Sequence, residues 1–263
     1  MRVKSNRFRI FYLSLFFIIL YVPVLSVVLY SFNKSSSTAY WAGFTLDWYR
    51  ELFNDRIIFD AFKVSIQVAL LTSVLSAIIG TASAIVSIYV KQKTEKTVNG
   101  LMFLPLIVPE VALGVSLLIF FSTLKLPFGI LTLVISHSLF CVPYVYIMVQ
   151  LRLKEINISI IEAAKDLGAT KWQIIKTIIL PLVMPSTLTA SLLALAMSLD
   201  DVVISTYMAG PTTTTLPVHI FSMMRVGVTP KVNALCTLIL AATFLLIGLN
   251  QIIGTKGGNL IEK

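Results

Sequence analysis

Apolar positions gather into six long runs along the chain, near residues 10–32, 64–90, 100–122, 130–150, 186–208 and 232–254. Each run can supply the ~20 helical residues that cross the hydrocarbon of a bilayer. Polar stretches separate them, so the pattern predicts an all-α, six-span transmembrane bundle forming a single domain over 1–263. The first run follows Arg2, Lys4, Arg7 and Arg9, as the core of a signal peptide would. Its apolar core is too long for one, and no small-residue cleavage site follows, which predicts a retained first span.

The longest polar gap, 155–181, holds the stretch EAAKDLGATKWQIIKTIILP from Glu162 to Pro181 and is itself helical in pattern. Ser159 with Glu162, and Thr170 with Gln173, each fit a capping box, a hydroxyl residue followed three later by Glu or Gln. Gly168 falls between the two helix starts, where a left-handed turn costs least. Pro181 and Pro185 follow as stop signals. The expected element is a helix, a glycine elbow, a second helix and a proline stop beside the membrane. A helical hairpin of this size is shaped for docking.

Composition narrows the class. With 57% hydrophobic and 13% charged residues and a mean hydropathy of +0.91, the chain is not a soluble globule. The net charge of +9 comes from short basic blocks between the apolar runs, which set orientation rather than build a nucleic-acid groove. If the N-terminus lies inside, the inner segments carry fourteen Lys and Arg and the outer segments seven. Both termini and the 155–181 loop are therefore expected in the cytoplasm. Cys141 and Cys236 sit inside apolar runs and predict no disulfide framework. No Gly-x-x-x-x-Gly-Lys-Ser/Thr occurs, so any ATP that drives the protein is hydrolysed by another chain.

Departures from apolar character inside the runs mark the candidate chemistry. Ser76, Gly80 and Ala84, four apart, let helix backbones approach and predict a packed face. Leu104-Pro105 and Val108-Pro109 break the third run, with Glu110 directly after; irregular backbone at this depth is tolerated where it lines a cavity. His137 in the fourth run has no second histidine at a ligand spacing and reads as a packing or hydrogen-bonding group, so no metal is expected. Asp200 and Asp201 lie about 14 residues into the fifth run, ~21 Å along a helix and in the outer half of a ~30 Å core. Ala190, Ala194 and Asp201 share one helical face, and Asp200 sits ~100° from it. No Lys or Arg lies deep in any run, so Glu110, Asp200 and Asp201 either stay protonated or bind a cation from outside. In the outer segment 33–63, Trp41, Trp48 and Tyr49 are expected to anchor at the interface beside charges such as Asp47 and Arg50. The stretch Pro211–Thr215 reads as a turn-rich connection.

Glu162, Ala163, Ala164, Gly168, Ile178, Leu180 and Pro181 fill a pattern that resembles the EAA loop of ABC-importer permeases. The resemblance implies the MetI-like permease fold of type I importers. It makes the loop a cytoplasmic coupling helix seated in a cleft of the ATP-hydrolysing subunit, and it assigns Glu162, Ala163, Ala164, Asp166, Gly168 and Ala169 to that contact. Asp200–Ser205, Gly210-Pro211, Leu216-Pro217, Ile220–Met223, Val226–Pro230 and Asn233–Leu235 look like the second permease of spermidine/putrescine importers. That likeness implies a second, different permease subunit, two copies of an ATPase and an external polyamine-binding protein, in a bacterial cytoplasmic membrane. It also implies no enzyme activity and no cofactor in this chain. Polyamines are di- and trications with methylene spacers, so carboxylates suit their ammonium groups and aromatic faces suit both parts. Glu110, Asp200 and Asp201 are the candidate pathway residues, joined by Tyr144, Tyr146 and Tyr207. The rivals are a type I permease for another solute, a proton-coupled secondary transporter using the same carboxylates, and a membrane enzyme. No matching inverted halves support the second, and no ligand cluster or placed Ser-His-Asp pattern supports the third.

Overall fold

Inside a bilayer no water is available to the backbone, so a spanning segment must satisfy its own N–H and C=O groups, and the apolar runs fold as helices. The computed structural model describes residues 3–258; Arg2 and residues 259–263, which enter the charge count, lie outside them. In chain order the helices are α1 (Val3–Tyr30), α2 (Asp47–Asn54), α3 (Arg56–Ser87), α4 (Gln92–Ile107), α5 (Glu110–Thr123) and α6 (Ile130–Glu155). After these come α7 (Ile158–Asp166), α8 (Lys171–Ile174), a π-helical turn (Ile175–Ile179), α9 (Leu180–Asp200), α10 (Val203–Met208), α11 (Leu216–Val226) and α12 (Pro230–Gly258). Among the described residues the β pairing is a single isolated bridge, Asn33 to Phe44.

Among the described residues, four helical rods are long and apolar enough to cross a membrane: Phe8–Tyr30, Arg56–Ser87, Ile130–Glu155 and Lys171–Asp200. The third run reaches that length only as α4 with α5, bent by 104° at the break. Val108 there is extended, as a residue before proline prefers, and Pro109 opens α5. The sixth run falls within α12. One boundary differs from expectation. The fifth span begins at Lys171, well before 186, and its helix ends at Asp200 rather than continuing to 208.

Pro181 and Pro185 do not stop the helix. A proline lacks its own N–H and crowds the carbonyl four residues back. Here the helix widens to a π turn over Ile175–Ile179, and Pro181 rides in the first turn of α9. The widened turn makes room for the Pro181 ring, and α9 continues through Pro185 as well.

The described residues divide into two compact units, 57–219 and 3–56 with 220–258. In the first, α3, α6 and α9 pack around a core that includes Tyr146, Leu133, Ile174, Ile179 and Ile204. The face of Ser76, Gly80 and Ala84 is buried as its spacing predicts. A Cβ at Gly80 would meet Val145 Cβ at 2.7 Å, so only glycine lets α3 lie this close to α6. Hydroxyls tie α3 to α9: Ser73 donates to the Ser191 carbonyl at 2.6 Å, and Thr81 meets Thr187 at 3.1 Å.

In the second unit α1 and α2 pack against α12. None of the residues from Phe8 to Tyr30 is buried, so α1 turns an apolar surface outward along its length. Lys231, at the start of α12, donates to Glu51 at 2.6 Å and Asp55 at 2.9 Å on the α2 segment. Burial pulls its ammonium down, but these two carboxylates outweigh burial and leave it raised. The segment 33–63 turns its aromatics partly inward. Trp48 Nε1 donates to the Asn33 carbonyl at 2.7 Å and the Tyr49 hydroxyl meets Ser31 at 2.7 Å, while Trp41 stays exposed. The Asp47 carboxylate takes the Thr45 hydroxyl at 2.6 Å.

Candidate functional site

Two groups of residues stand apart from ordinary packing: the loop around Gly168 and the helix breaks at Glu110 and Asp200-Asp201. In the loop, α7 is capped by Asn157, whose side chain accepts from the Ser159 amide at 3.1 Å. The expected box at Ser159 and Glu162 does not form, because asparagine caps as well as serine and stands first in the chain. The second box forms as predicted. Thr170 Oγ1 accepts from the Gln173 amide at 3.3 Å, and Gln173 Oε1 accepts from the Thr170 amide at 2.8 Å.

Gly168 has φ +82°, the left-handed value its position requires, and an added Cβ would meet nothing within 4 Å. Its role is therefore backbone conformation alone. The Gly168 and Ala169 amides reach back to the Lys165 and Ala164 carbonyls at 2.9 and 3.0 Å, closing the end of α7. Glu162, Ala163, Asp166 and Gly168 are exposed, whereas Ala164 and Ala169 are half-buried against the core. Two further residues belong with this surface and were not singled out by sequence. Leu167 is 89% exposed and Trp172 is 70% exposed, flanking the glycine elbow. The available signal was a large apolar residue on each side of the elbow, each next to charged or polar neighbours.

At the other site the structure separates residues the sequence grouped together. Glu110 occupies the first position of α5, where the helix dipole favours a carboxylate, and it is exposed. Asp200 ends α9 and is exposed too, so neither is buried within this subunit as expected. Asp201 is buried and occupied. It sits in the break after α9 in extended conformation and caps α10, accepting from the Ile204 amide at 3.3 Å and the Ser205 amide at 2.7 Å. His137 supplies the partner that counting Lys and Arg missed: its Nε2 lies 3.3 Å from Asp201 Oδ2. The same ring meets Ser198 at 2.7 Å through Nδ1 and Ser205 at 3.0 Å through Nε2. All four side chains are buried, so His137 is the hydrogen-bonding group its isolation predicted. No group of three His, Cys, Asp or Glu able to hold a metal occurs among the described residues.

The tyrosines divide as well. The Tyr207 ring on α10 lies against Gly114 of α5, where a Cβ would come within 2.6 Å of it, one helical turn beyond Glu110. Tyr144 is half-buried on α6. Tyr146 is fully buried, and its hydroxyl hydrogen-bonds Asn99 and Gln150.

One helical rod, Lys171–Asp200, thus runs from the exposed hairpin to the helix break at Asp200-Asp201. The model of the family described as "Binding-protein-dependent transport system inner membrane component" matches residues 76–255. The chain belongs to this family. Among its relatives, the spermidine/putrescine transport system permease protein PotC of Escherichia coli K12 is 36% identical over 241 residues, 90% of this chain and 91% of the relative. The putrescine transport system permease protein PotI of the same organism is 41% identical over 249 residues, 91% and 88% of the two chains. Solved structures agree on the fold. A chain of a bacterial alginate ABC transporter, in complex with an alginate pentasaccharide-bound periplasmic protein, matches at TM-score 0.72 and 18% identity, covering 95% of both chains. A chain of the MetNI methionine ABC transporter matches at TM-score 0.59 and 20% identity, covering 77% of this chain and 96% of the other. The fold is thus that of the type I importer permeases, and the family is one of inner-membrane transport components.

Proposed function

We propose that this subunit forms half of the translocation pathway of an ATP-driven importer for polyamines such as spermidine and putrescine. The observation that carries the substrate is the 36–41% identity to spermidine/putrescine and putrescine permeases along about 90% of the chain. The exposed carboxylates of Glu110 and Asp200 support it, since each sits at a helix break and faces away from this subunit's own core. In the assembled importer those carboxylates meet the ammonium groups, and the Tyr207 and Tyr144 rings border the methylene chain. Asp201 acts beneath them by holding α10 in place.

The partners are a second, different permease, two copies of an ATPase and a polyamine-loaded binding protein on the outer side. Glu162, Ala163, Ala164, Asp166, Gly168 and Ala169 form the ATPase contact, with Leu167 and Trp172 as its apolar anchors. Both termini and the α7–α8 hairpin lie in the cytoplasm, an orientation supported by the Lys and Arg bias. ATP binding moves the hairpin, and the rod Lys171–Asp200 carries the motion to the break at Asp200-Asp201. Coupling arises because the outward and inward states bind ATP and substrate with different affinity.

Purification of the tagged chain from its native membrane tests this assembly. The expected result is co-isolation of an ATPase and a different permease, with ATP hydrolysis raised by a spermidine-loaded binding protein. A chain that isolates alone and moves polyamine down a proton gradient would establish the secondary-transporter rival instead.

A further inference from the structure

Tyr146, Asn99 and Gln150 close a triangle of side chains between α4 and α6. The Tyr146 hydroxyl donates to Asn99 Oδ1, Gln150 Nε2 donates to the same oxygen at 3.1 Å, and Gln150 Nε2 also donates to the Tyr146 hydroxyl at 3.1 Å. Tyr146 is fully buried while Asn99 and Gln150 are half-buried, so the triangle sits at the edge of the core. All three residues belong to the unit 57–219.

Its position along the chain is informative. Shortly beyond Gln150, α6 ends and the chain enters α7, the first arm of the docking hairpin. From Asn99, α4 runs to the Pro109 break and then to Glu110. An open cleft of about 380 Å³ lies beside the triangle, its lining including Glu95 of α4, Gln150 and Lys154 of α6, and Ile161 of α7. α6 leads directly into α7 and packs against α4, and the triangle supplies side-chain hydrogen bonds that join α4 to α6. Apolar packing between α4 and α6 permits sliding, whereas three mutually satisfied hydrogen bonds hold one register.

We infer that Asn99, Tyr146 and Gln150 form a coupling clamp, through which displacement of the ATPase-docking hairpin is passed to the broken helix pair bearing Glu110. The three act as positioning residues: Tyr146, a candidate pathway residue by sequence, is fully buried in this subunit and gives its hydroxyl to the triangle instead. The role rests on the chain being an ATP-driven permease that docks its ATPase through α7 and α8.

The test compares the reconstituted importer, complete with ATPase, partner permease and binding protein, carrying wild type, Tyr146→Phe, Asn99→Leu or both changes. The readouts are complex assembly, ATP hydrolysis and the number of spermidine molecules taken up per ATP. Tyr146→Phe keeps the ring in its pocket and removes the hydroxyl. The expected result is normal assembly and hydrolysis within about twofold of wild type, with uptake per ATP falling roughly fivefold, the scale of one lost hydrogen bond. Asn99→Leu should fall alike, and the double variant should be no worse than either single, since residues of one network are not additive. Asn99→Leu also carries the test if Tyr146→Phe fails to assemble. Uptake per ATP equal to wild type in an assembled variant, or additive losses in the double, would overturn the clamp. A wild-type complex that hydrolyses ATP without moving spermidine would refute the functional reading instead, so the two failures are distinct.

Discussion

At the scale of single residues, the adjacent aspartates show how burial divides a motif. Asp201 is held by two backbone amides and His137, while Asp200 faces outward from the subunit. Asp201→Asn should therefore lower stability, by about 1–3 kcal/mol for a buried carboxylate that loses its charge-assisted partners. Thermal unfolding of the detergent-solubilised subunit reads this as a lower Tm. Asp200→Asn should leave that Tm unchanged and reduce polyamine uptake roughly tenfold, as loss of a charge-assisted contact would. Equal Tm losses for the two would mean that both are structural. Gly80→Leu belongs here too, because the space at α3 is closed by Val145 at 2.7 Å. It should destabilise the unit by about 1–3 kcal/mol or more through overpacking, seen as a lower Tm or loss of folded protein. The sequence could reveal that carboxylates in apolar runs need partners. It could not reveal that the partner is His137, sixty-four positions away on another helix, because only packing of α6 against α9 and α10 brings them together.

At the scale of elements, the α7–α8 hairpin was the most legible part of the chain. Its elbow at Gly168 and the box at Thr170 and Gln173 come from local rules, which need no tertiary information. Where local signals compete, those rules lose their power. Asn157 rather than Ser159 starts α7, and Pro181 after the hairpin is absorbed by a π turn. Local propensity cannot foresee that accommodation, because tertiary packing of Ile174, Ile179 and Val183 keeps the rod intact. Gly168→Ala puts a Cβ on a left-handed residue and costs about 1–2 kcal/mol at the elbow. With open space around it, the expected effect is confined to the hairpin, so ATPase association should weaken while the Tm of the isolated subunit stays near wild type. Trp172→Ala removes an exposed ring and should weaken ATPase co-purification roughly tenfold without altering the subunit's fold. Unchanged ATPase association in both variants would remove the hairpin from the contact.

At the scale of the whole molecule, the surface is itself informative. Long apolar rods, an exposed α1 and outward-facing Glu110 and Asp200 describe a subunit that is unfinished by itself and meets lipid or a partner on its outer faces. Hydropathy made the helical, membrane-spanning class legible because bilayer thickness fixes the length of a run. Which faces line a pathway was not legible, since pathway and lipid faces alternate around helices whose packing no single run encodes. The substrate is carried by kinship and by the acidic breaks together. The direct measurement is ATP-dependent uptake of radiolabelled putrescine and spermidine into proteoliposomes holding the complete importer, with excess unlabelled sulfate as a control anion. A polyamine importer gives saturable uptake of both polyamines that requires ATP and the binding protein and is indifferent to the anion. ATP hydrolysis by the intact complex without uptake of either polycation would contradict it.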